Sequence, residues 1–161
     1  MTTIDNIKYA SSAALTITLN SLATSTTVGR QATVVDNTGN LYDDVLLTVI
    51  ISTSSSAIGS SKSVSVYVSG SEDGTNYDQD DAAMGASDAG YTIGSPTNLK
   101  LAMVMSCPTS SKVYNKTTSL AALFGGLMPR KWTIVVCNDT NQNLNSSGNS
   151  ASYTGVTYSN Q

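Results

Sequence analysis

Residues 120–138 constrain the fold most strongly, because they hold the only Phe and the only Trp of a 161-residue chain. A Gly-Gly pair and Pro129 interrupt regular structure there, and residues 131–138 then alternate between two faces, with Trp132 on the more apolar one. An aromatic side chain of this kind buries about 150–250 Å² in a folded core. This segment therefore predicts a tight turn followed by a buried strand, with Trp132 as the core anchor.

Other short segments predict further strands, because β-branched and apolar residues recur in them and pack well on a pleated sheet. Asn, Asp, Gly, Ser and Pro residues separate these segments and indicate turns or loops. The predicted strands cover residues 14–19, 30–36, 45–51, 63–69, 99–107, 112–123, 131–138 and 151–158. For residues 112–123 a single short helix is the alternative interpretation.

About eight strands joined by tight turns and long loops predict an all-β protein. The length fits one domain, so we expect a single β-sandwich over residues 1–161, with a jelly roll as its topology. Residues 1–12 precede the first predicted strand and are expected to form a short N-terminal arm.

Composition excludes several classes of partner. Only 12% of the residues are charged, the formal net charge is −3, and eight Lys and Arg residues are scattered along the chain. Nucleic-acid binding needs a basic face that neutralises phosphates, so we expect no nucleic-acid partner. No apolar run is long enough to span a membrane, and the first residues do not resemble a signal peptide. We therefore expect no membrane partner and synthesis in the cytoplasm.

Catalytic and metal sites are not expected. The chain has no histidine, so no imidazole is present to activate a Ser or Cys nucleophile. Six of the eleven Asp and Glu residues lie within residues 72–88, which we predict to be a long exposed loop. Paired glycosidase carboxylates need a fixed separation that such a loop does not supply. Calcium binding by this loop stays open, although its spacing differs from an EF-hand. Cys107 and Cys137 are expected to be buried thiols.

Four segments resemble the jelly-roll capsid cement, or decoration, proteins of tailed bacteriophages. They are NLYDD (residues 40–44), VYVSGSEDGTNY (66–77), FGGLMPRKWTIVVCN (124–138) and YTGV (153–156), and they follow the same order along the chain. These motifs consist of turns and core aromatics, so they bring no catalytic residue or cofactor with them.

The resemblance implies a structural virion protein, not an enzyme. Such a protein binds the outer surface of an icosahedral capsid and cements neighbouring major capsid protein subunits. Its expected partners are the phage major capsid protein and further copies of itself, as a dimer or a trimer. Its expected location is the virion surface, after synthesis in the cytoplasm of a bacterial host.

Two segments are predicted to make the capsid or oligomer contacts, with ordinary core packing as the competing interpretation. They are residues 2–10 and residues 119–128, and their candidate contact residues are Ile4, Ile7, Tyr9, Leu120, Phe124 and Leu127. The alternative function is a phage tail-fibre or carbohydrate-binding module that stacks sugars on loop tyrosines. The candidates for that role are Tyr67, Tyr77 and Tyr91.

Overall fold

The computed structural model describes residues 5–56, 58–59 and 62–160, and almost all of its regular structure is β. A single 3-10 helix, η1 (Ala121–Phe124), interrupts the strands of this described part. The strands are β1 (Asp5–Tyr9), β2 (Ala13–Ala14), β3 (Val28–Gln31), β4 (Val35–Asp36), β5 (Asp44–Ser52), β6 (Ser63–Ser71), β7 (Ala89–Thr92), β8 (Lys100–Ser106), β9 (Val113–Ser119), β10 (Lys131–Asp139) and β11 (Ser150–Asn160).

The strands form two antiparallel sheets. Sheet A has the order β1-β11-β5-β9, with β2 also beside β11, and sheet B has the order β7-β3-β10-β6-β8, with β4 beside β10. When β2, β4 and β7 are left out, the remaining eight strands can be counted from first to eighth in chain order. Sheet A then has the order first-eighth-third-sixth, and sheet B has the order second-seventh-fourth-fifth. That arrangement is a jelly roll. The prediction of an all-β sandwich with jelly-roll topology is confirmed.

The hydrophobic core lies between the two sheets. In β5 the residues Val45, Leu47, Val49 and Ile51 alternate inward and are fully buried. Trp132 on β10 is also fully buried, and its ring lies 5.3 Å from that of Tyr153 on β11 in an edge-to-face arrangement at 87°. Such aromatic pairs add about 0.5–1.5 kcal/mol beyond their area burial. Trp132 therefore joins the two sheets at the centre of the core.

The segments on either side of β7, residues 72–88 and 93–99, form a third layer over the outer face of sheet B. Met84 and Ile93 of this layer and Tyr91 of β7 are buried against Val135 and Cys137, which point away from the main core. Residues 72–88 contain no strand or helix and are mostly exposed, as predicted for a long loop, but Met84 is buried and the loop is packed onto the sheet. Its apolar residues occur irregularly between acids, so they show neither helical nor strand periodicity.

Four boundaries also differ from expectation. The strand predicted at residues 30–36 divides into β3 and β4, with residues 32–34 between them. Residues 5–9 of the predicted N-terminal arm form β1, which pairs with β11 along its whole length. The strand predicted at residues 14–19 ends at Ala14, although Leu15 and Leu19 are buried. Residues 112–123 divide into β9 and the helix η1, so both interpretations of that segment hold in part. Cys107 and Cys137 are free and buried, which confirms the prediction of two buried thiols.

Candidate contact surfaces

Two exposed leucines lie together at one end of the sandwich, where the β4–β5 and β9–β10 loops meet. Leu41 is 71% exposed and Leu127 is 67% exposed, the highest values among the large apolar side chains of the described residues. Both line one open hollow of about 400 Å³, together with Asp43, Glu72 and other polar residues. We call Leu41 and Leu127 the leucine pair.

The β4–β5 loop holds Leu41 outward through a buried asparagine. The Asn37 side chain accepts a hydrogen bond from the Tyr42 backbone N–H at 2.9 Å and donates one to the Tyr42 carbonyl at 3.1 Å. The Leu41 N–H donates to the Asn37 carbonyl at 2.8 Å. These bonds hold Leu41 at a φ of 53°, in the left-handed region, which costs an L-residue with a Cβ about 1–2 kcal/mol. Leu41 is therefore both solvent-exposed and conformationally strained.

The β9–β10 loop reaches Leu127 through two glycines at positive φ, Gly125 at 78° and Gly126 at 107°. They reverse the chain after η1, a geometry that glycine adopts without a steric penalty. Of the contact residues predicted on this loop, Leu127 is exposed, whereas Leu120 is fully buried in the core. Leu120 therefore offers no surface to a partner, because it continues the inward face of the preceding strand.

Phe124 occupies an intermediate position. It is half-buried and packs against the main core, with its ring over Gly70 of β6. A Cβ at Gly70 would lie 2.5 Å from the Phe124 Cε1 atom, so only glycine leaves room for the ring. The Lys100 ammonium lies 5.3 Å from the ring centroid, within the range of a cation–π contact.

A second exposed apolar group lies on the outer face of sheet A. Ile7 and Tyr9 of β1 are 55% and 64% exposed, and Tyr158 of β11, directly opposite Ile7 in the strand register, is 58% exposed. We call these three residues the β1 ridge. Ile4, the remaining predicted contact residue, lies outside the described residues.

The β1 ridge and the leucine pair belong to the same end of the molecule. Asp43 connects them, because its carboxylate accepts a hydrogen bond from the Tyr158 N–H at 2.7 Å and it also lines the hollow beside the leucine pair. β1 begins and β11 ends at this side of the sandwich, next to the start of β5. The two groups thus form one exposed apolar surface that runs from the loops onto sheet A.

Four carboxylates of the third layer, those of Asp73, Asp78, Asp80 and Asp88, are engaged by groups of the protein itself. Asp80 accepts hydrogen bonds from the Gly94 N–H at 2.7 Å, the Thr97 hydroxyl at 2.8 Å and the Asn98 N–H at 2.7 Å. Burial raises the pKa of Asp80, but these hydrogen bonds outweigh burial and leave the pKa below its ordinary value. Asp80 therefore acts as a structural acceptor that ties two parts of the layer together.

Two other carboxylates of this layer have comparable roles. Backbone hydrogen bonds from Asn76 and Thr75 hold the pKa of Asp73 well below its usual range, and they close a tight turn. Asp88 pairs with Arg30 on β3. In the described part of the chain, no group of three or more His, Cys, Asp or Glu side chains is placed to hold a metal ion.

The three candidate sugar-stacking tyrosines lie in different surroundings. Tyr91 is buried, and its hydroxyl oxygen accepts the Asp80 N–H at 2.9 Å, whereas Tyr67 is half-buried beneath the third layer. Tyr77 borders an open cleft of about 560 Å³ whose lining includes Phe124 and Asp78. Tyr67 and Tyr91 are thus committed to packing, and Tyr77 alone of the three borders this cleft.

The fold and its surface define a class: a jelly-roll domain with a group of exposed apolar side chains at one end. No helix within the described ranges is long and apolar enough to cross a membrane. No family model matches the chain, and no curated protein sequence matches it.

Proposed function

We propose that this protein is a structural virion component that binds the outer surface of an icosahedral phage capsid and cements neighbouring major capsid protein subunits. The observation that carries the proposal is the grouping of the leucine pair and the β1 ridge at one end of a well-packed jelly roll. Contiguous exposed apolar groups on a folded domain mark surfaces that bind other proteins. The sequence resemblance to capsid cement proteins supports the same function.

The structure of the contact end suits attachment to a protein surface. Full burial of a leucine side chain contributes about 1.5–3 kcal/mol, so the exposed fractions of Leu41 and Leu127 leave about 1–2 kcal/mol for each to gain on contact. The strained φ of Leu41 supports the same interpretation, because such strain persists at binding sites where the surrounding structure enforces it. Asn37 provides that enforcement through its two hydrogen bonds to Tyr42.

Cementing also requires a body that transmits force between its attachments. Here Trp132 and Tyr153 join the sheets, and the third layer covers the outer face of sheet B. Attachment at one point makes attachment at a second effectively intramolecular. A rigid domain therefore holds two subunits together even when each contact is weak.

The cleft beside Tyr77 is the observation that favours a second candidate, a carbohydrate-binding module. Aromatic and polar side chains together are typical of sugar sites. Two of the polar groups in this cleft are already engaged, however, because Asp78 pairs with Lys100 and Asp73 holds its own turn. The cement function therefore has the stronger structural support.

Co-sedimentation with purified capsids that lack the protein tests the proposal. We expect the wild-type chain to pellet with capsids and the Leu41→Asn/Leu127→Asn double variant to bind at least tenfold more weakly, since roughly 2–4 kcal/mol of burial is lost. The matched control is Leu101→Asn/Val104→Asn, which changes two exposed β8 residues away from this end. Failure of the wild type to bind capsids, or equal loss in both double variants, would contradict the proposal.

A parallel measurement addresses the carbohydrate-binding candidate. The cement function predicts no change in intrinsic fluorescence when oligosaccharides are added. A saccharide-dependent change that Tyr77→Ala abolishes, combined with no capsid binding, would establish the second candidate instead.

A further inference from the structure

The outer edge of β1 carries backbone groups that point away from sheet A. Just beyond β1, the Ala10 N–H donates to the Gly155 carbonyl of β11 at 2.9 Å. Hydrogen-bonded residues alternate along an antiparallel strand, so the even-numbered residues of β1 bond to β11. The N–H and C=O groups of Asp5, Ile7 and Tyr9 therefore face the free edge, and no other described strand pairs with it.

The other three sheet edges are protected by recognised devices. At the opposite edge of sheet A, Lys116 lies in the middle of β9, and its ammonium donates to the Val104 carbonyl of β8 at 2.9 Å. In sheet B, the register of edge strand β8 shifts by a bulge where it pairs with Val66 and Tyr67. The remaining edge strand, β7, is only four residues long. β1 lacks these three devices, because its pairing with β11 has no bulge, it is five residues long, and none of its side chains bonds to the opposite sheet in the described structure.

We propose that two copies of this chain associate by antiparallel pairing of their β1 strands across a twofold axis centred on Ile7. In that register Ile7 lies opposite Ile7 of the second copy, and Asp5 lies opposite Tyr9 in both directions. Each of these three pairs joins residues whose backbone groups face the free edge, so each pair exchanges two hydrogen bonds. Sheet A then continues through both copies.

Charge and hydrogen-bond count select this register. Moving either strand by two residues keeps only two of the three hydrogen-bonded pairs among residues 5–9. Moving it in one direction also places Lys8 directly opposite Lys8 of the second copy, and like charges in that position are destabilising. In the centred register Lys8 lies opposite Asn6 instead. Lys8 thus disfavours one of the two shifted registers and is compatible with the centred one.

The side chains of the β1 ridge support the same arrangement. Ile7 lies opposite Tyr158 on β11, so twofold pairing places Tyr158, Ile7, Ile7 and Tyr158 in one row across the joined sheet. Apolar cross-strand neighbours of this kind each contribute about 0.2–1 kcal/mol. The exposed Ile7 side chain thereby gains an apolar neighbour from the second copy.

Pairing also has a consequence that rests on the proposed function. Because the two β1 strands run antiparallel, the two leucine pairs point in opposite directions along the joined sheet. A dimer would then bring separate contact ends to separate capsid subunits, and each attachment would strengthen the other.

Sedimentation velocity of the full chain without capsids tests the pairing. We expect a species of about 33 kDa at high micromolar concentration, twice the chain mass of 16.7 kDa. Ile7→Pro removes an N–H that faces the free edge, and proline is tolerated at such edge positions. This variant is expected to keep the wild-type circular dichroism spectrum and to sediment as a monomer.

Cysteine cross-linking tests the register and does not depend on the proline variant. Residues in a hydrogen-bonded antiparallel pair have Cα atoms about 5.5 Å apart, within disulfide range, whereas the two copies of residue 9 would be about 14 Å apart. Under mild oxidation Ile7→Cys should form covalent dimers and Tyr9→Cys, its matched control, should not. Cys107 and Cys137 are buried and do not compete.

Three results would overturn the proposed pairing. They are a monomer or a trimer at high micromolar concentration, an undiminished dimer for Ile7→Pro, and equal cross-linking at positions 7 and 9. A monomer that still binds capsids would refute the pairing and leave the cement function standing. A dimer that does not bind capsids would support the pairing and contradict the cement function.

Discussion

Replacement of Leu41 by Asn is expected to stabilise the isolated protein while weakening its attachment to capsids. The φ of 53° costs a leucine about 1–2 kcal/mol, and Asn is several-fold enriched at such angles. Because Leu41 is 71% exposed, its replacement forfeits only about 0.4–0.9 kcal/mol of burial in the free protein. The net expected gain is about 0.5 kcal/mol, or roughly 1–2 °C in Tm for a domain of this size.

The same substitution removes an apolar side chain from the proposed contact. Loss of the exposed 71% of Leu41 should cost about 1–2 kcal/mol of capsid binding, roughly a 5- to 30-fold weaker Kd. Urea denaturation followed by circular dichroism measures the first effect, and co-sedimentation with capsids measures the second. Leu101→Asn is the control, since Leu101 is also exposed but lies within β8.

The two effects of Leu41→Asn must have opposite signs for the reasoning to hold. A loss of more than about 1 kcal/mol in the free energy of unfolding would show that the side chain stabilises its own fold. A stabilised variant with unchanged capsid affinity would show that the exposed leucine is not a capsid contact.

Three further predictions concern the fold. Gly70→Ala should lower the free energy of unfolding by about 1–3 kcal/mol, because the new Cβ would lie 2.5 Å from the ring of Phe124. Gly90→Ala is the control and should change the free energy of unfolding little, because no atom lies within 4 Å of its Cβ position. Equal effects of the two variants in urea denaturation would refute this prediction. The pKa values of Asp80 and Asp88 are lower in the folded than in the unfolded chain, so their contribution is present above about pH 4 and is lost as pH falls through the folded values. Urea denaturation at decreasing pH should show this loss, and Asp80→Asn should reduce it. Burial raises the pKa of the Cys107 thiol to about 11. Disulfide reagents should therefore modify this thiol slowly at pH 8 and rapidly in urea. Rapid modification of the folded protein would contradict the buried position.

The strands that sequence predicted best are those with a continuous buried face. The segments at 45–51, 63–69, 131–138 and 151–158 match β5, β6, β10 and β11 to within two residues at each end. In β5 and β6 inward apolar residues alternate with outward polar or partly exposed ones, and this period marks a strand without knowledge of its neighbours. β1 and β7 lack that signal, because they are short and, among their described side chains, only Tyr91 of β7 is buried, so backbone pairing places both strands in their sheets.

The third layer and the contact end depend on interactions that a sequence pattern does not encode. Asp80 joins the two segments of the third layer through hydrogen-bond donors that lie 14–18 positions away, and Met84 and Ile93 pack the layer onto sheet B. A Gly-Gly turn precedes Leu127 and indicates a loop there. No comparable signal marks Leu41 as an exposed residue, because its exposure and φ result from the side-chain bonds of Asn37. The turn before Leu41 is rich in Asn and Asp, which indicates a loop but does not indicate that its leucine points to solvent.

Quantitative mass spectrometry of purified virions, comparing this protein with the major capsid protein, tests the cement function most directly. The account predicts a copy ratio of the order of one, since a protein that bridges neighbouring subunits must occur across the whole shell. A handful of copies in each particle would place the protein at the tail or portal and contradict cementing. Absence from virions would refute a structural role in the particle altogether.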